Sequence, residues 1–473
     1  MFYGRDREMG ILNELLEKKI ASLVVIKGRR RIGKSRLIEE FCKDYNTLRF
    51  VGLPPEEKIT AVEQRKEFNR QLQQQTGLIG INNDDWGHLF WHLANFVKKG
   101  RWIVVLDEIN WMGSGDPTFL GKLKTIWDEN FKYNPKLILI LSGSMTTWIN
   151  KNIISSTGFF GRISIDLTLD ELPLYECNRF WGTYTERISS YEKLKILSVT
   201  GGVPRYLEEI NPKLTAEENI KRLCFRKEGI LFNEFDRIFT DLFGKKSRSY
   251  KKIVEALGDG PKSWNQVLKI IDMPKGGTAS DYLKDLIQTG YIVKDTTWSI
   301  RSGKEVKINK FRLKDNYLRF YLKYLAPNKN KIEQMKMPII PSWDSIMGLQ
   351  FENLVLNNRN FLFQLLSIPI NEIIFDNPYF QKETKLHKGV QIDLLIQTKY
   401  LVLYLVEIKF SLNQIELNVV DSVQEKINRL DVGDRSFSIR PILVHVNGVS
   451  PKLLESDFFT KIIDFGKLLR TSS

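Results

Sequence analysis

The run Gly28-Arg29-Arg30-Arg31-Ile32-Gly33-Lys34-Ser35 limits what this chain can fold into more than any other stretch. It fits the pattern G-x-x-x-x-G-K-[ST]. An apolar run, Ser22–Lys27, precedes it, and a helical stretch from Ser35 to Cys42 follows. Strand, loop and helix in that order are the context the pattern needs. Gly28 and Gly33 allow backbone shapes that bulky side chains forbid. Inward-pointing N–H groups of such a loop, at a helix N-terminus, cradle phosphate oxygens. The stretch Gly28, Arg29, Arg30, Arg31, Ile32, Gly33, Lys34, Ser35 and Arg36 is therefore expected to hold ATP. Lys34 would neutralise the β- and γ-phosphates, and the Ser35 hydroxyl would ligate Mg²⁺. Short apolar strands alternate with helical stretches over residues 1–170, including Trp102–Leu106 and Leu137–Leu141, the rhythm of a parallel α/β sheet.

A second element supports the first. The strand at Ile103–Leu106 ends in Asp107-Glu108. Asp107 would hold Mg²⁺ through water, and Glu108 would polarise the water that attacks the γ-phosphate. Two acidic residues opening a loop are common, so their weight comes from the loop at Gly28. The third strand ends in Ser142-Gly143-Ser144, where a hydroxyl would sense the γ-phosphate, or where small residues simply turn the chain. Arg162 is a candidate arginine finger toward a neighbouring subunit, or an ordinary surface arginine. Arg205 follows Gly201-Gly202-Val203-Pro204 and is either a contact from a helical lid to the nucleotide or a helix-start residue.

The Gly28–Ser35 loop, the Leu106-Asp107-Glu108 strand end, the early Phe2-Tyr3-Gly4-Arg5-Asp6-Arg7-Glu8 and Gly201-Gly202-Val203-Pro204-Arg205-Tyr206-Leu207 together resemble the archaeal-type ATPase family. These are AAA-like P-loop ATPases close to the STAND signalling class. The resemblance covers roughly the first 240 residues; the combination is specific, although the loop by itself is generic. It implies that Gly4 and Arg5 lie near the adenine, and that Pro204 and Arg205 help the lid register the nucleotide.

Composition enters next. The 473 residues suggest roughly three domains, and 42% hydrophobic with 27% charged residues is ordinary globular usage. No apolar stretch approaches the ~18 residues of a membrane helix, and the charged N-terminus has no signal core, so the cytoplasm is the expected compartment and no membrane partner is expected. Cys42, Cys177 and Cys224 are scattered, which excludes a disulfide framework and a zinc site of the usual kind. The formal charge is +15, and much of it is local: residues 245–333 hold 20 Lys or Arg against 9 Asp or Glu. Such a stripe attracts phosphate polymers through counterion release, or it merely solvates a surface.

That basic segment reads as three helices, at 247–257, 263–271 and 278–288, followed by alternating strands at 291–294 and 305–313. It looks like a winged helix. In a DNA-binding version the third helix enters the major groove, so Lys275, Thr278, Ser280 and Lys284 would face the duplex, and Lys304 and Lys307 in the wing would reach phosphates. Asp281 and Asp285 on the same helix argue against contact, and winged helices also serve as packing modules. Residues 326–342, with three prolines among polar residues, read as a linker.

A second α/β pattern runs from Trp343 to the end. Gln391–Ile396 and Leu401–Phe410 read as a hairpin, which places Asp393 across from about Val406–Glu407. Glu407 and Lys409 share a face. Two carboxylates and a lysine thus meet at one edge of a buried sheet. Asp393 and Glu407 suit Mg²⁺, a hard cation that prefers oxygen ligands, with the Ile408 carbonyl beside them. Lys409 would orient a water or neutralise a scissile phosphate. Glu352, on an upstream helix, would join the cluster, and Gln424, on an amphipathic helix at 420–430, would aim at it. This arrangement resembles the PD-(D/E)XK nuclease superfamily over roughly the last 130 residues. Gln391-Ile392 precedes Asp393 where many members have proline, and a degenerate fold that only binds is the alternative. Lone His387 and His445 read as surface or core residues.

The expected architecture is an α/β multidomain chain. It comprises a P-loop NTPase parallel sheet (1–170), a helical lid (171–243), a winged helix (244–330) and a C-terminal restriction-endonuclease-like α/β domain (343–473). The expected function is ATP hydrolysis coupled to a Mg²⁺-dependent nuclease-like domain acting on nucleic acid, DNA rather than RNA, with nucleotide-dependent self-assembly. Two rivals stand beside it: a nucleotide-switched regulator that does not cut, and a protein-remodelling ATPase.

Overall fold

The computed structural model describes residues 2–54, 59–81, 85–113, 115–144, 146–306, 309–334, 343–383, 388–433 and 436–470. The chain clusters into two units. One comprises Met1–Leu172, Val203–Arg205 and Thr240–Ser247, and the other comprises Pro173–Gly202, Tyr206–Phe239 and Arg248–Ser473.

In the first unit, five strands form one sheet: β1 (Ser22–Lys27), β2 (Thr47–Val51), β3 (Trp102–Asp107), β4 (Leu137–Gly143) and β5 (Ile163–Thr168), in the order β2-β3-β4-β1-β5. Every pairing is parallel. Alternation along the strands splits the core in two. Leu23, Val25, Val104, Leu106, Leu139 and Leu141 pack on one face with Phe50, Phe68, Trp86 and Phe90. Val24, Ile26, Ile103, Val105, Ile138 and Ile140 pack on the other with Leu37, Ile38 and Phe41. A parallel sheet needs both faces covered, and these central strands are apolar on both sides for that reason. The loop after β1 and the end of β3 therefore emerge at the same carboxyl edge, where such sheets bind ligands.

The second unit carries three sheets, of three, two and five strands. Two-residue β6 (Lys262–Ser263), β7 (Ile292–Asp295) and β10 (Lys310–Leu313) form one, in the order β6-β10-β7; β8 (Trp298–Ser299) and β9 (Lys304–Glu305) form a two-stranded ribbon. Helix Ser247–Ala256 precedes β6, and helices Trp264–Ile270 and Gly277–Gln288 lie between β6 and β7, close to the spans expected from sequence. The third sheet is β11 (Ile373–Gln381), β12 (Val390–Thr398), β13 (Val402–Ile408), β14 (Ser438–His445) and β15 (Lys461–Asp464), in chain order. Its first two pairings are antiparallel and its last two parallel.

The ribbon does not stand free. Trp298 and Ile300 belong to the core of the C-terminal sheet, with Tyr379, Leu395, Leu405 and Val423. The Trp298 ring stacks on Phe375 at 4.9 Å, and its indole N–H donates to Gln397 Oε1 at 2.6 Å. A buried tryptophan with its N–H satisfied is a strong anchor.

The expected linker at 326–342 is helical in its first half. Lys329–Glu333 is a helix with Ile332 buried; 335–342 lie outside the described residues. The Ser190–Thr200 helix is buried along nearly its whole length. The amides of Asn316 and Gln350 both donate to its Ser198 carbonyl, at 2.7 and 2.9 Å. That network ties it to the Asn316–Phe320 and Trp343–Asn357 helices.

Candidate functional site

The loop after β1 has the backbone its sequence demands. Gly28 and Gly33 have φ of +154° and +87°. A Cβ on Gly28 would come within 2.6 Å of the Leu169 carbonyl oxygen, so no larger residue fits there. Lys34 opens the next helix and is buried. Its ammonium donates to the carbonyls of Gly28 at 2.8 Å and Arg29 at 3.1 Å. Burial pulls its pKa below the ordinary lysine value, against the opposing charges of Glu108 and Asp107. A buried ammonium whose hydrogen bonds among the described residues go to loop carbonyls suits an anionic ligand, which would supply a charge partner inside the buried site.

Asp107 is the hub of this edge. Burial works against its charge, but hydrogen bonds from Ser142 and Arg49 and the charges of Arg49 and Lys34 hold it below the usual carboxylate range. Ser35 Oγ donates to its Oδ2 at 3.3 Å, and Ser142 Oγ donates to its Oδ1. Arg49, on β2, was not anticipated: it donates to Asp107 Oδ2 at 2.6 Å and to Glu39 at 2.8 Å. The parallel pairing of β2 with β3 brings it there, a proximity no motif encodes. Glu108 sits at φ +51°, an uncommon conformation for a residue with a side chain. Its Oε2 accepts from the Ser144 hydroxyl at 2.8 Å and the Ser144 N–H at 3.2 Å. Both serines of Ser142-Gly143-Ser144 thus serve the two carboxylates.

The other residues expected at this site fall into two groups. Pro204 packs against the loop, 3.5 Å from where a Cβ of Gly33 would stand, and the Arg205 N–H donates to the Arg31 carbonyl at 3.4 Å. Gly201-Gly202-Val203-Pro204 therefore brings the chain back onto the loop. Arg5 is buried, and its guanidinium donates to the carbonyls of Ile32 at 2.8 Å and Asp170 at 2.6 Å. It braces the loop, with Gly4 buried beside it at φ +76°. Ile32 is wholly buried in the core behind the loop. Arg29 pairs with Glu171 at 2.7 Å, and Arg30 lies close enough to Lys34 to disfavour its charge. Arg36 is exposed on the helix surface beside Glu39, one position off the face that meets the loop. Arg162 forms a two-pronged pair with Asp128, both contacts 2.8 Å. In this conformation it is held within its own chain.

In the second unit the sheet brings the C-terminal candidates together. Leu394 pairs with Val406, which sets Asp393 opposite Glu407. The Ile408 N–H donates to Asp393 Oδ2 at 2.9 Å, and Lys409 Nζ lies 2.8 Å from Glu407 Oε1. Glu352 reaches the same cluster from the Trp343–Asn357 helix. Burial raises its pKa, opposed by Arg319, Arg312 and Lys426 and reinforced by Glu407. Asp393 is pushed up to about 7 by burial and by the charges of Glu407 and Glu352. Lys409 is held above the ordinary lysine value: burial disfavours its charge, but Glu407 prevails.

Gln424 does not join them. It is exposed and bonds to Asn428 at 2.9 Å. Lys426 does, at 2.5 Å from Glu407 Oε2 and 3.9 Å from Asp393 Oδ1. The pattern held a signal for it: Val419, Val423, Lys426 and Leu430 lie on one face of the Val419–Arg429 helix and its end, so Lys426 occupies a position the periodicity assigns to the core. Two carboxylates turned toward each other in a low-dielectric edge, one with a raised pKa, are a donor set that a hard cation would relieve. The Lys426 ammonium now supplies that positive charge. Among the described residues, no group of three acidic, histidine or cysteine side chains is arranged to hold a metal ion.

Of the residues expected to face DNA, Lys275, Thr278, Ser280 and Lys284 are all exposed on or beside the Gly277–Gln288 helix, with Asp281 among them. Asp285 turns inward to accept from the Tyr250 hydroxyl. Lys304 is exposed on the ribbon, and Lys307 lies outside the described residues. His445 is buried, and its Nδ1 accepts from the Gly448 N–H at 3.0 Å; His387 lies outside the described residues.

Comparison with known proteins bears on the first unit most directly. Residues 2–210 match the family described as an ATPase domain predominantly from Archaea. An uncharacterized protein of Methanocaldococcus jannaschii is 26% identical over 401 residues, covering 84% of each chain. Among solved structures, a Walker-type ATPase of Pyrococcus abyssi superposes with a TM-score of 0.50 at 18% identity, covering 68% of this chain and 96% of that one. The ORC2 protein of Aeropyrum pernix, solved in ADPNP–ADP complexes, has a TM-score of 0.44 at 15% identity, over 71% of this chain and 96% of that one. Among the described residues, no helix is long and apolar enough to cross a membrane.

Proposed function

Starting from an ATPase domain of the P-loop type at its N-terminus, we propose that this chain binds and hydrolyses ATP and couples that cycle to a C-terminal nuclease-like domain acting on nucleic acid. In the first unit, Lys34 and the loop N–H groups would take the phosphates, Ser35 and Asp107 would hold Mg²⁺, and Glu108, which now accepts from Ser144, would orient the attacking water. Gly4, Arg5, Pro204 and Arg205 fix the loop. Arg162, freed from Asp128, would serve a neighbouring copy.

In the second unit the observation that carries the reading is the convergence of Asp393, Glu407 and Lys409 at one strand edge, with Glu352 behind. Mg²⁺ there would supply charge neutralisation and a hydroxide nucleophile. Asp393, Glu407 and the Ile408 carbonyl would hold it, in place of the Lys426 ammonium that now pairs with Glu407. Lys409 neutralises the scissile phosphate. The segment 244–330 is read as a winged helix, with Lys275, Thr278, Ser280 and Lys284 toward DNA and the 343–473 domain as the nuclease-like fold. Coupling would run along the chain: Tyr191, at the start of the Ser190–Thr200 helix, stacks on Phe410 at 4.7 Å, and the same helix ends at Thr200, four residues before Pro204.

The test is incubation of the full chain with DNA and RNA, with and without Mg²⁺ and ATP, beside Asp393→Ala. Products from the wild type that vanish in the variant are expected. No products under any condition would refute cleavage. The second reading, a nucleotide-switched chain whose C-terminal fold only binds, is favoured by one observation, the Lys426 ammonium seated between the two carboxylates.

A further inference from the structure

A cavity of about 830 Å³ opens in the second unit, between the residues flanking the β8–β9 ribbon, strands β11 and β12, and the Val419–Arg429 helix. Its size is that of a small-molecule or nucleotide site, roughly 300–1,000 Å³. Lys310, Lys382, Lys426 and Arg429 all line it, against one carboxylate, Glu425. Glu425 is already taken by Arg429, and Lys426 by Glu407. Among the described residues, neither Lys310 nor Lys382 forms an ion pair with a carboxylate. Lys310 instead lies 3.5 Å from the centre of the Phe380 ring, which also lines the cavity. Burial and the neighbouring Lys382 lower the Lys310 pKa; Asp295, the acidic group that opposes them, is committed to Arg312 at 2.9 Å.

Two neighbouring ammonium groups that pair with no carboxylate among the described residues, at a cavity with an aromatic wall, are an arrangement that an anion relieves. The aromatic wall asks for more than a bare phosphate: a ring beside cations is what holds a base next to its phosphate. The cavity also borders the carboxylate edge. Lys426 belongs to both, and Gln391, which lines the cavity, is two residues from Asp393 on β12, hence on the same face.

We propose that this cavity binds a nucleoside phosphate, with Lys310 exchanging its place over the Phe380 ring for the phosphate beside Lys382, and Phe380 against the base. As a subsite of the Asp393–Glu407 edge, its use by a nucleic-acid strand rests on that edge being a nuclease-like site. A free nucleotide would satisfy the same chemistry, and the two sources are separable.

The experiment uses the full chain carrying Lys34→Ala, which silences the N-terminal loop, in EDTA so that nothing is cut. Fluorescence anisotropy follows a labelled ten-nucleotide oligo-dT, and calorimetry follows dTMP. The variants are Lys382→Glu, at an exposed position where folding is not at stake, Lys310→Gln, and the double reversal Lys310→Glu/Lys382→Glu, with Lys452→Glu as an exposed control. The double reversal is expected to weaken binding by about tenfold or more, close to 1.4 kcal/mol. For the oligonucleotide, the slope of log affinity against log salt should fall by about 0.7 for each phosphate that is no longer neutralised. Loss in the oligonucleotide arm assigns the site to a strand, and loss confined to the dTMP arm assigns it to a free nucleotide. No binding of either probe, equal binding by the double reversal, or an equal effect of Lys452→Glu would overturn the proposal. Cleavage is scored separately with Mg²⁺. A chain that never cuts but loses binding through Lys310 and Lys382 would sink the nuclease reading and leave this site standing; a chain that cuts without any effect of these lysines would do the reverse.

Discussion

Replacing Asp393 by Asn should stabilise the second unit, and more so as the pH rises. Asp393 is pushed from its ordinary 3.8 to about 7 by burial, Glu407 and Glu352. The folded chain therefore keeps a proton that the unfolded chain releases. Below pH 3.8 both states are protonated and the group contributes nothing. Between 3.8 and 7 stability falls with pH, because the folded state binds more protons than the unfolded one. Above 7 the loss is complete. At 1.36 kcal/mol per decade, the ceiling is about 4 kcal/mol at pH 8 and about 1.6 kcal/mol at pH 5. Asn carries no charge, and its side-chain oxygen can still accept from the Ile408 N–H, now 2.9 Å from Asp393 Oδ2. The attraction of Lys426 at 3.9 Å is lost, which subtracts a little; Lys426 keeps Glu407. The assay is urea-dependent hydrogen exchange of the peptide spanning β12 and β13, comparing both chains at the same pH, which reads that region rather than the whole molecule. An excess stability of Asp393→Asn that grows by about 2–3 kcal/mol from pH 5 to pH 8 is expected. A variant no more stable at pH 8 than at pH 5, or less stable at both, would mean that Asp393 is ionised in the native state and that the lysines dominate the cluster.

Other outcomes follow from the same geometry. Mg²⁺ should stabilise the wild-type β12–β13 region at pH 8 and leave Asp393→Asn unmoved, read by the same exchange. Lys34→Ala should abolish binding of a fluorescent ATP analogue while leaving the melting temperature nearly unchanged, since the bonds of its buried ammonium among the described residues go to carbonyls. Arg49→Ala should lower the Mg²⁺ concentration that half-saturates ATP hydrolysis, on the order of three- to tenfold or about 1 kcal/mol, by releasing Asp107 Oδ2; a rise instead would make Arg49 a support of that carboxylate. Trp298→Ala should cost about 3–5 kcal/mol and open the 296–306 segment to proteolysis, as the ribbon loses its anchor on the C-terminal sheet.

Local rules reached far into this chain. The Gly28–Ser35 loop, three of the five strands around it and the helix after it follow from glycine placement and apolar runs, which need no distant partner. So does the pairing of Asp393 with Glu407, because a short hairpin fixes register by counting. Strands β2 and β5 escaped: Thr47–Val51 and Ile163–Thr168 carry polar residues between their apolar ones, and they are strands because they flank an apolar sheet.

Most other side-chain partners were decided by tertiary structure. Arg49 meets Asp107 because a parallel crossover sets β2 beside β3. Arg5 braces the Ile32 carbonyl from twenty-seven residues away in sequence, and Arg162 finds Asp128. Lys426 rather than Gln424 enters the carboxylate cluster because helix rotation is set by the packing of Val419 and Val423. The Trp298 ribbon lies in the core of the C-terminal sheet because an indole is stable where water is excluded. Which residue types the chemistry needs is written in short range along the chain. Which of them meet depends on burial and on crossovers between distant segments, and those are properties of the packed molecule.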